Sequence, residues 1–183
     1  MPRRSIRLAQ AALALLAAPA AAEVRSADDA GFDVGASETV AAEPDAVWSA
    51  LIAPSRWWDS EHTWSGKASN LSLSPRGGGC FCERLARGGS VEHMRVIRAE
   101  PGRMLVMIGA LGPLQSEPVN AVLTVTLEAK GTGTTLTWRY AASGLRGMKG
   151  DAIAEPVNAV MTAQFASLVR TAASRSEVAP RRR

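Results

Sequence analysis

"LTVTLEAKGTGTTLTWRY" (residues 123–140) decides the fold. Leu123, Val125 and Leu127 alternate with polar residues, and so do Leu136, Trp138 and Tyr140. Period-two alternation puts each set on one face of a strand. Lys130–Gly133 is turn punctuation, so the stretch predicts two antiparallel strands, 120–128 and 134–141, with a shared apolar face. Working outward, further strands are predicted near 71–75, 79–86, 90–98 and 103–109. Turns fall between them at Arg76–Gly78, Arg87–Gly89 and Glu100–Gly102. "GFDVGASETVAA" (31–42) predicts a first strand, and "EPDAVWSALI" (43–52) a helix with Pro44 in its first turn. A second short helix is predicted around Ser55–Trp58. Val157, Val160, Met161, Gln164, Phe165, Leu168 and Ala172 form one face of a long helix from about Glu155 to Ala173. The order is α+β: a curved antiparallel sheet of about seven strands, two short helices after the first strand, and a long C-terminal helix. A helix lying across a curved sheet leaves a cavity between them, and cavities are the usual ligand sites.

The chain has 183 residues, enough for one domain. Its net charge of +4 belongs to its ends. Residues 1–22 carry Arg3, Arg4 and Arg7, an Ala/Leu run, then Ala20-Ala21-Ala22 before Glu23. This is the layout of a secretory signal peptide with cleavage expected after Ala22, an uncleaved N-terminal anchor being the alternative, and the apolar run is too short for a stable membrane span. The expected location is therefore periplasmic or secreted. Residues 23–31 read as a flexible N-terminus and 174–183 as a basic disordered tail. Without residues 1–22 and 174–183, 14 basic residues face 16 acidic ones, which gives no basic patch for nucleic acid.

Several strings together resemble the SRPBCC (START-like, helix-grip) superfamily: "WWDSEHTWSGKASNLSL", "GGGCFCERL", "GGSVEHMRVI", "PGRMLVMIGALGPLQ" and the 123–140 hairpin. Within it the chain resembles exported bacterial members related to the heat-shock-chaperone ATPase activator and to polyketide cyclases. The resemblance covers about residues 33–172. It implies a helix-grip fold with an apolar cavity, and it brings no fixed list of catalytic residues.

The polar residues concentrate in "RGGGCFCERLARGGSVEHM" (76–94). A regular hairpin pairs Leu85 with Ser90, Glu83 with Glu92, Cys82 with His93 and Phe81 with Met94. Phe81, Glu83, Glu92 and Met94 then face the cavity, while Cys80, Cys82 and His93 face outward. Opposed carboxylates on an inner face suit acid–base work, so Glu83 and Glu92 are the catalytic candidates. They could instead sit at a wet rim or pair with arginines such as Arg139. Cys80 and Cys82 lie two residues apart on a strand, near the upper limit for a bridged pair. We expect free thiols, or a disulfide only if the strand is bulged. A metal site of Cys80, Cys82, His93 and His62 lacks the usual ligand spacing, so no metal is expected, and no cofactor motif is present.

Trp57, Trp58, His62 and Trp64 crowd the loop after the first helix, as a core plug or a ligand lid. The expected ligand-binding set is Trp57, Trp58, His62, Trp64, Phe81, Glu83, Glu92, Met94, Met107, Trp138, Tyr140, Met161 and Phe165. Asn158 is expected to face water. The reading that results is an exported module that holds a hydrophobic or amphipathic small molecule. A cyclase- or hydrolase-type enzyme using Glu83 and Glu92 is the alternative, and a chaperone-like interaction protein is a third. The oligomeric state is left open.

Overall fold

A computed structural model describes residues 23–178, with side chains through Ser174. The signal peptide expected over 1–22 and residues 179–183 of the expected tail lie outside the described residues. Eight strands form one antiparallel sheet in the order β1-β2-β8-β7-β6-β5-β4-β3. They are β1 (Glu23–Asp28), β2 (Gly31–Val40), β3 (Leu71–Leu73), β4 (Cys80–Arg84), β5 (Ser90–Glu100), β6 (Met104–Ile108), β7 (Asn120–Lys130) and β8 (Gly133–Ser143). Helix α1 (Pro44–Leu51) follows β2, and α2 (Gly150–Val178) follows β8. The expected second short helix is a single 3₁₀ turn, Pro54–Arg56. The α+β helix-grip architecture is as expected.

Residues 123–140 lie in the β7–β8 hairpin, with Leu123 opposite Tyr140, Val125 opposite Trp138 and Leu127 opposite Leu136. All six are buried. Trp138 stacks on Phe165 of α2 with ring centroids 5.1 Å apart, which fastens the long helix to the sheet. Burying a large apolar side chain contributes roughly 1.5–3 kcal/mol.

Three boundaries differ from the sequence reading. Residues 23–28 are an edge strand, and 23–31 is not a loose N-terminus. The segment reads as polar because only Val24 and Ala27 pack against the core. The ladder to β2 holds it, and Asp28 Oδ1 accepts the N–H groups of Ala30 and Gly31 to close the turn. The sheet therefore has eight strands, one more than the sequence suggested. Helix α2 begins at Gly150, so Pro156 lies inside it and not in its first turn. Its start is set by packing: a Cβ at Gly150 would lie 2.2 Å from the Asp28 carbonyl oxygen, so only glycine lets the helix end dock on the β1–β2 turn. The helix also continues through residues 174–178, the first half of the expected disordered tail.

Strand β5 carries two bulges. Phe81 pairs with Met94 but Cys82 pairs with Glu92, so His93 is an extra residue. Val96 pairs with Met107 but Arg98 pairs with Val106, so Ile97 is another. Each bulge bends the strand and increases its local twist. The first one decides what faces the cavity.

Candidate functional site

Between the sheet and α2 lies a cavity of about 520 Å³, within the range of small-molecule sites. Met148 before α2, together with Ile153, Pro156, Val157, Val160 and Met161 of α2, forms one wall. Leu111 and Leu114 from the β6–β7 connection form another, and Trp58, His62 and Trp64 close the loop side. His93 and Tyr140 reach it from β5 and β8. Both are buried, whereas Glu61, His62 and Trp64 lie toward solvent and make its rim. A broader surface depression lies on the far side of Trp64, against Arg84–Ala86.

The His93 bulge overturns the expected faces of this hairpin. With one extra residue in β5, His93 and Met94 both turn inward and Glu92 turns outward. Glu92 and Arg95 form an exposed ion pair, 2.7 Å apart. Glu83 and Glu92 are therefore not a facing carboxylate pair, and Glu92 is not in the cavity. The inward partner of Glu83 is His93, with Nε2 2.9 Å from Oε2. Arg139 does not reach either glutamate; it pairs with Asp33. Room for the bulge comes from Gly109, whose φ is 136°. A Cβ there would lie 2.8 Å from the His93 carbonyl oxygen.

Glu83 is 1% exposed. It accepts the N–H of Trp64 at 3.1 Å and that of Ser65 at 2.5 Å, as well as His93. Burial alone would raise its pKa, but the Ser65 hydroxyl and N–H, the Trp64 N–H and His93 together outweigh it and hold the carboxyl below its ordinary range. His93 is shifted down as well: burial disfavours its cation by more than Glu83 favours it. At neutral pH the pair is a carboxylate and a neutral imidazole. The carboxylate can only accept, so Nε2 carries the proton and Nδ1 the lone pair. Tyr140 Oη accepts the Leu111 N–H at 3.1 Å, which leaves its own proton to donate. Burial pushes the phenol up to about 12, despite the opposing Leu111 hydrogen bond.

The remaining expected residues divide between cavity and core. Trp58, His62, Trp64, Tyr140 and Met161 line the cavity. Trp57 is buried beneath it, donating to the Ala50 carbonyl at 3.0 Å and packing on Phe165. Phe81 supports the wall from behind, 5.3 Å from Trp58 and 5.0 Å from His93 between ring centroids. Met94, Met107, Trp138 and Phe165 are core residues. Asn158 is buried, contrary to expectation.

The Trp-rich loop is anchored as well as packed. Gln164 of α2 accepts the Asp59 N–H, and Gln115 accepts Trp64 Nε1–H while donating to the Glu92 carbonyl. The sequence reading assigned neither glutamine a role in the site, since a glutamine that caps a loop leaves no periodic signal. Cys80 and Cys82 are joined in a disulfide, with Cα atoms 5.4 Å apart, on the outer face of β4. That is closer than the roughly 6.6 Å of a flat strand, so the expectation of free thiols is overturned, and it is overturned without a bulge in the cysteine strand, because the extra residue lies in β5. His93 and the cysteines lie on opposite faces, so the four-ligand metal set of Cys80, Cys82, His93 and His62 does not assemble. Among the described residues the metal-compatible grouping is Cys80, Cys82 and Glu92, and its two sulfurs are already bonded to each other.

Residues 32–173 match the family described as polyketide cyclase / dehydrase and lipid transport. The chain belongs to that family. Membership accounts for the helix-grip, SRPBCC-like fold and implies small-molecule binding. No curated protein matches the chain. Among solved structures, a Mesorhizobium loti protein, MLL2253, is 22% identical, with TM-score 0.55, covering 76% of this chain and 95% of that one. A Rhizobium leguminosarum protein is 18% identical, with TM-score 0.58, covering 85% and 98%. The di-domain ARO/CYC StfQ from the steffimycin biosynthetic pathway is 16% identical, with TM-score 0.54, covering 82% of this chain and 53% of that one. At these identities the likeness is one of fold. Among the described residues, no helix of this family member is long and apolar enough to cross a membrane.

Proposed function

We propose that the protein is an exported binding module whose cavity holds a hydrophobic or amphipathic small molecule. The observation that carries this is the cavity's wall: mostly apolar side chains, with two buried polar groups, His93 and Tyr140, aimed into it. Such a wall takes an apolar body and fixes one polar end. Trp58, Leu111, Leu114 and Met161 would contact the body, and Tyr140 would donate to an oxygen at the end. The layout of residues 1–22 supports export, as does the Cys80–Cys82 disulfide, which suits an oxidising compartment.

Native mass spectrometry of the purified protein, with titration of 8-anilinonaphthalene-1-sulfonate, tests the binding reading. Val157→Trp, which fills the cavity from α2, is expected to abolish dye binding while the thermal midpoint holds. Dye binding that survives this substitution unchanged would refute the cavity as the site. For export, the protein recovered from a periplasmic extract should begin at Glu23. Recovery only from the cytosol with the first 22 residues attached would refute that part.

A further inference from the structure

We propose that the Cys80–Cys82 disulfide is a redox-active bond that oxidises a dithiol by thiol–disulfide exchange, with Cys80 as the sulfur attacked and Cys82 as the leaving thiolate. This goes beyond the binding reading and does not rest on it, because the cysteines lie on the outer face of the sheet and the cavity on the inner one.

Three observations converge. First, the bond fastens nothing that the sheet does not already hold. It joins residues two apart on β4, a strand paired with β3 on one side and β5 on the other. Phe81 between them is buried against Trp58 and His93, so both sulfurs stay on the outer face whether bonded or not. A disulfide stabilises more the longer the loop it closes, and this loop has one residue between its ends. Second, the bond is reachable. Both cysteines are partly exposed. Cys80 lies beyond Phe81, the last β4 residue that β3 pairs, and follows the Gly77–Gly79 turn, where a Cβ on Gly77 or Gly78 would meet nothing within 4 Å. A thiolate therefore has an open approach to Cys80, whereas Cys82 sits between Ser72 and Glu92 of the flanking strands. Exposed disulfides that stabilise little are the labile ones. Third, the leaving sulfur has a cation beside it. Arg84 is two residues on from Cys82, exposed on the same face, and forms no ion pair among the described residues. A neighbouring cation favours the thiolate over the thiol. A Glu92 carboxylate oxygen lies within 4.8 Å of both sulfurs, but its 2.7 Å ion pair with Arg95 offsets its charge, so it does not cancel the effect of Arg84.

The exchange balances with the dithiol as reductant. One thiolate of the dithiol attacks Cys80 Sγ. The Cys80–Cys82 bond breaks, a mixed disulfide forms on Cys80, and its electron pair leaves on Cys82 as a thiolate. The second thiolate of the dithiol then attacks its own sulfur in the mixed disulfide and closes a disulfide, while Cys80 leaves as a thiolate. The dithiol loses two electrons and two protons; Cys80 and Cys82 gain both and become thiols. The ladders to β3 and β5 hold the two thiols side by side, so a more oxidising disulfide can restore the bond by the reverse steps. The partner class is a dithiol on an extended or unfolded chain, which can reach a bond lying flat on a sheet.

The test mixes the purified, oxidised protein with a synthetic peptide carrying two cysteines, without oxygen. Free thiols are trapped with iodoacetamide and counted by mass spectrometry. One peptide disulfide is expected for each protein disulfide consumed, formed at least ~10-fold faster than with oxidised glutathione at equal concentration, because a better leaving thiolate speeds exchange. Arg84→Gln should slow the protein's reaction about 3-fold, for loss of the cation beside the leaving sulfur. Acid quenching of a reaction with reduced glutathione should trap the mixed disulfide on Cys80, with Cys82 free. The double variant Cys80→Ser, Cys82→Ser should lose the exchange and still bind the naphthalene dye. Exchange no faster than that of oxidised glutathione would overturn the proposal and leave the binding reading standing. A mixed disulfide found on Cys82, or an Arg84→Gln protein that reacts at the wild-type rate, would overturn the assigned order of attack. A double variant that no longer folds would show the bond to be a structural staple, which would also overturn the proposal.

Discussion

Glu83 and Glu92 look alike in sequence, and the structure predicts opposite consequences for replacing them. Glu83→Leu keeps approximate volume, so the cavity contribution is small and the loss is electrostatic. It leaves three donors without an acceptor: the N–H groups of Trp64 and Ser65, and Nε2 of His93. An orphaned donor costs about 1–3 kcal/mol, and the two loop amides can partly rehydrate, so the lower end applies to them and the total expected is about 3–4 kcal/mol. For a domain of this size that is a fall of roughly 6–15 °C in thermal midpoint. Glu92→Leu breaks one exposed ion pair with Arg95, worth about 0–1 kcal/mol. Urea denaturation followed by tryptophan fluorescence measures both, with the slope checked for constancy so that midpoint shifts report stability. Equal losses for the two variants, or a neutral Glu83→Leu, would refute the inward Glu83–His93 pairing and restore the regular hairpin register.

Stability should also fall in two acid steps. The folded state holds His93 below its ordinary value of 6.5, so the unfolded chain binds the extra proton first and stability declines as pH drops below about 6.5. Glu83 is held below 4.5, so its contribution is present above that value and is lost as pH falls through its lower folded value. Chemical denaturation at a series of pH values, with His93→Gln removing only the first step, checks the assignment; a flat profile between neutrality and pH 5 would refute it. The Cys80–Cys82 bond closes a very short loop, for which chain entropy gives about 1.5 kcal/mol. Calorimetry with and without a phosphine reductant should show a drop of roughly 3–6 °C, and an intact mass already equal to the dithiol would refute the pairing. Gly109→Ala should lose stability through its positive φ and its clash with the His93 carbonyl, at a cost of about 1–3 kcal/mol. It should also weaken ligand binding in proportion to the displacement of His93, which titration with the dye would measure; an undiminished affinity would count against the role of the bulge.

The fold was legible because its signals are periodic. Leu123, Val125, Leu127, Leu136, Trp138 and Tyr140 repeat every second residue within their strands, and the α2 face from Val157 to Ala172 repeats at helical spacing, so burial and pattern agree. Strand β1 was missed for the converse reason. An edge strand with one sparsely covered face needs few apolar residues, and "EVRSAD" carries only Val24 and Ala27 toward the core. Pro156 misled because local preference places proline in a first turn, whereas packing of Gly150 against the β1–β2 turn starts the helix earlier.

The site was half legible, and the line between the halves runs through one residue. On β4 the faces follow the alternation, so Phe81 and Glu83 point inward as the pattern requires. On β5 the alternation holds from Met94 to Val96 but fails at His93, where one extra residue exchanges the environments of His93 and Glu92. A bulge is a tertiary compromise. It depends on Gly109 just past the end of the neighbouring strand β6, on the curvature the sheet needs to wrap α2, and on the Trp64–Ser65 loop that supplies donors to Glu83. None of these is local to "SVEHM", so no period in that string could announce it. The exchange changes the chemistry as well as the geometry. Two inward carboxylates would repel, and one would have to take up a proton. A carboxylate beside a neutral imidazole is stable as it stands and leaves a basic nitrogen facing the cavity.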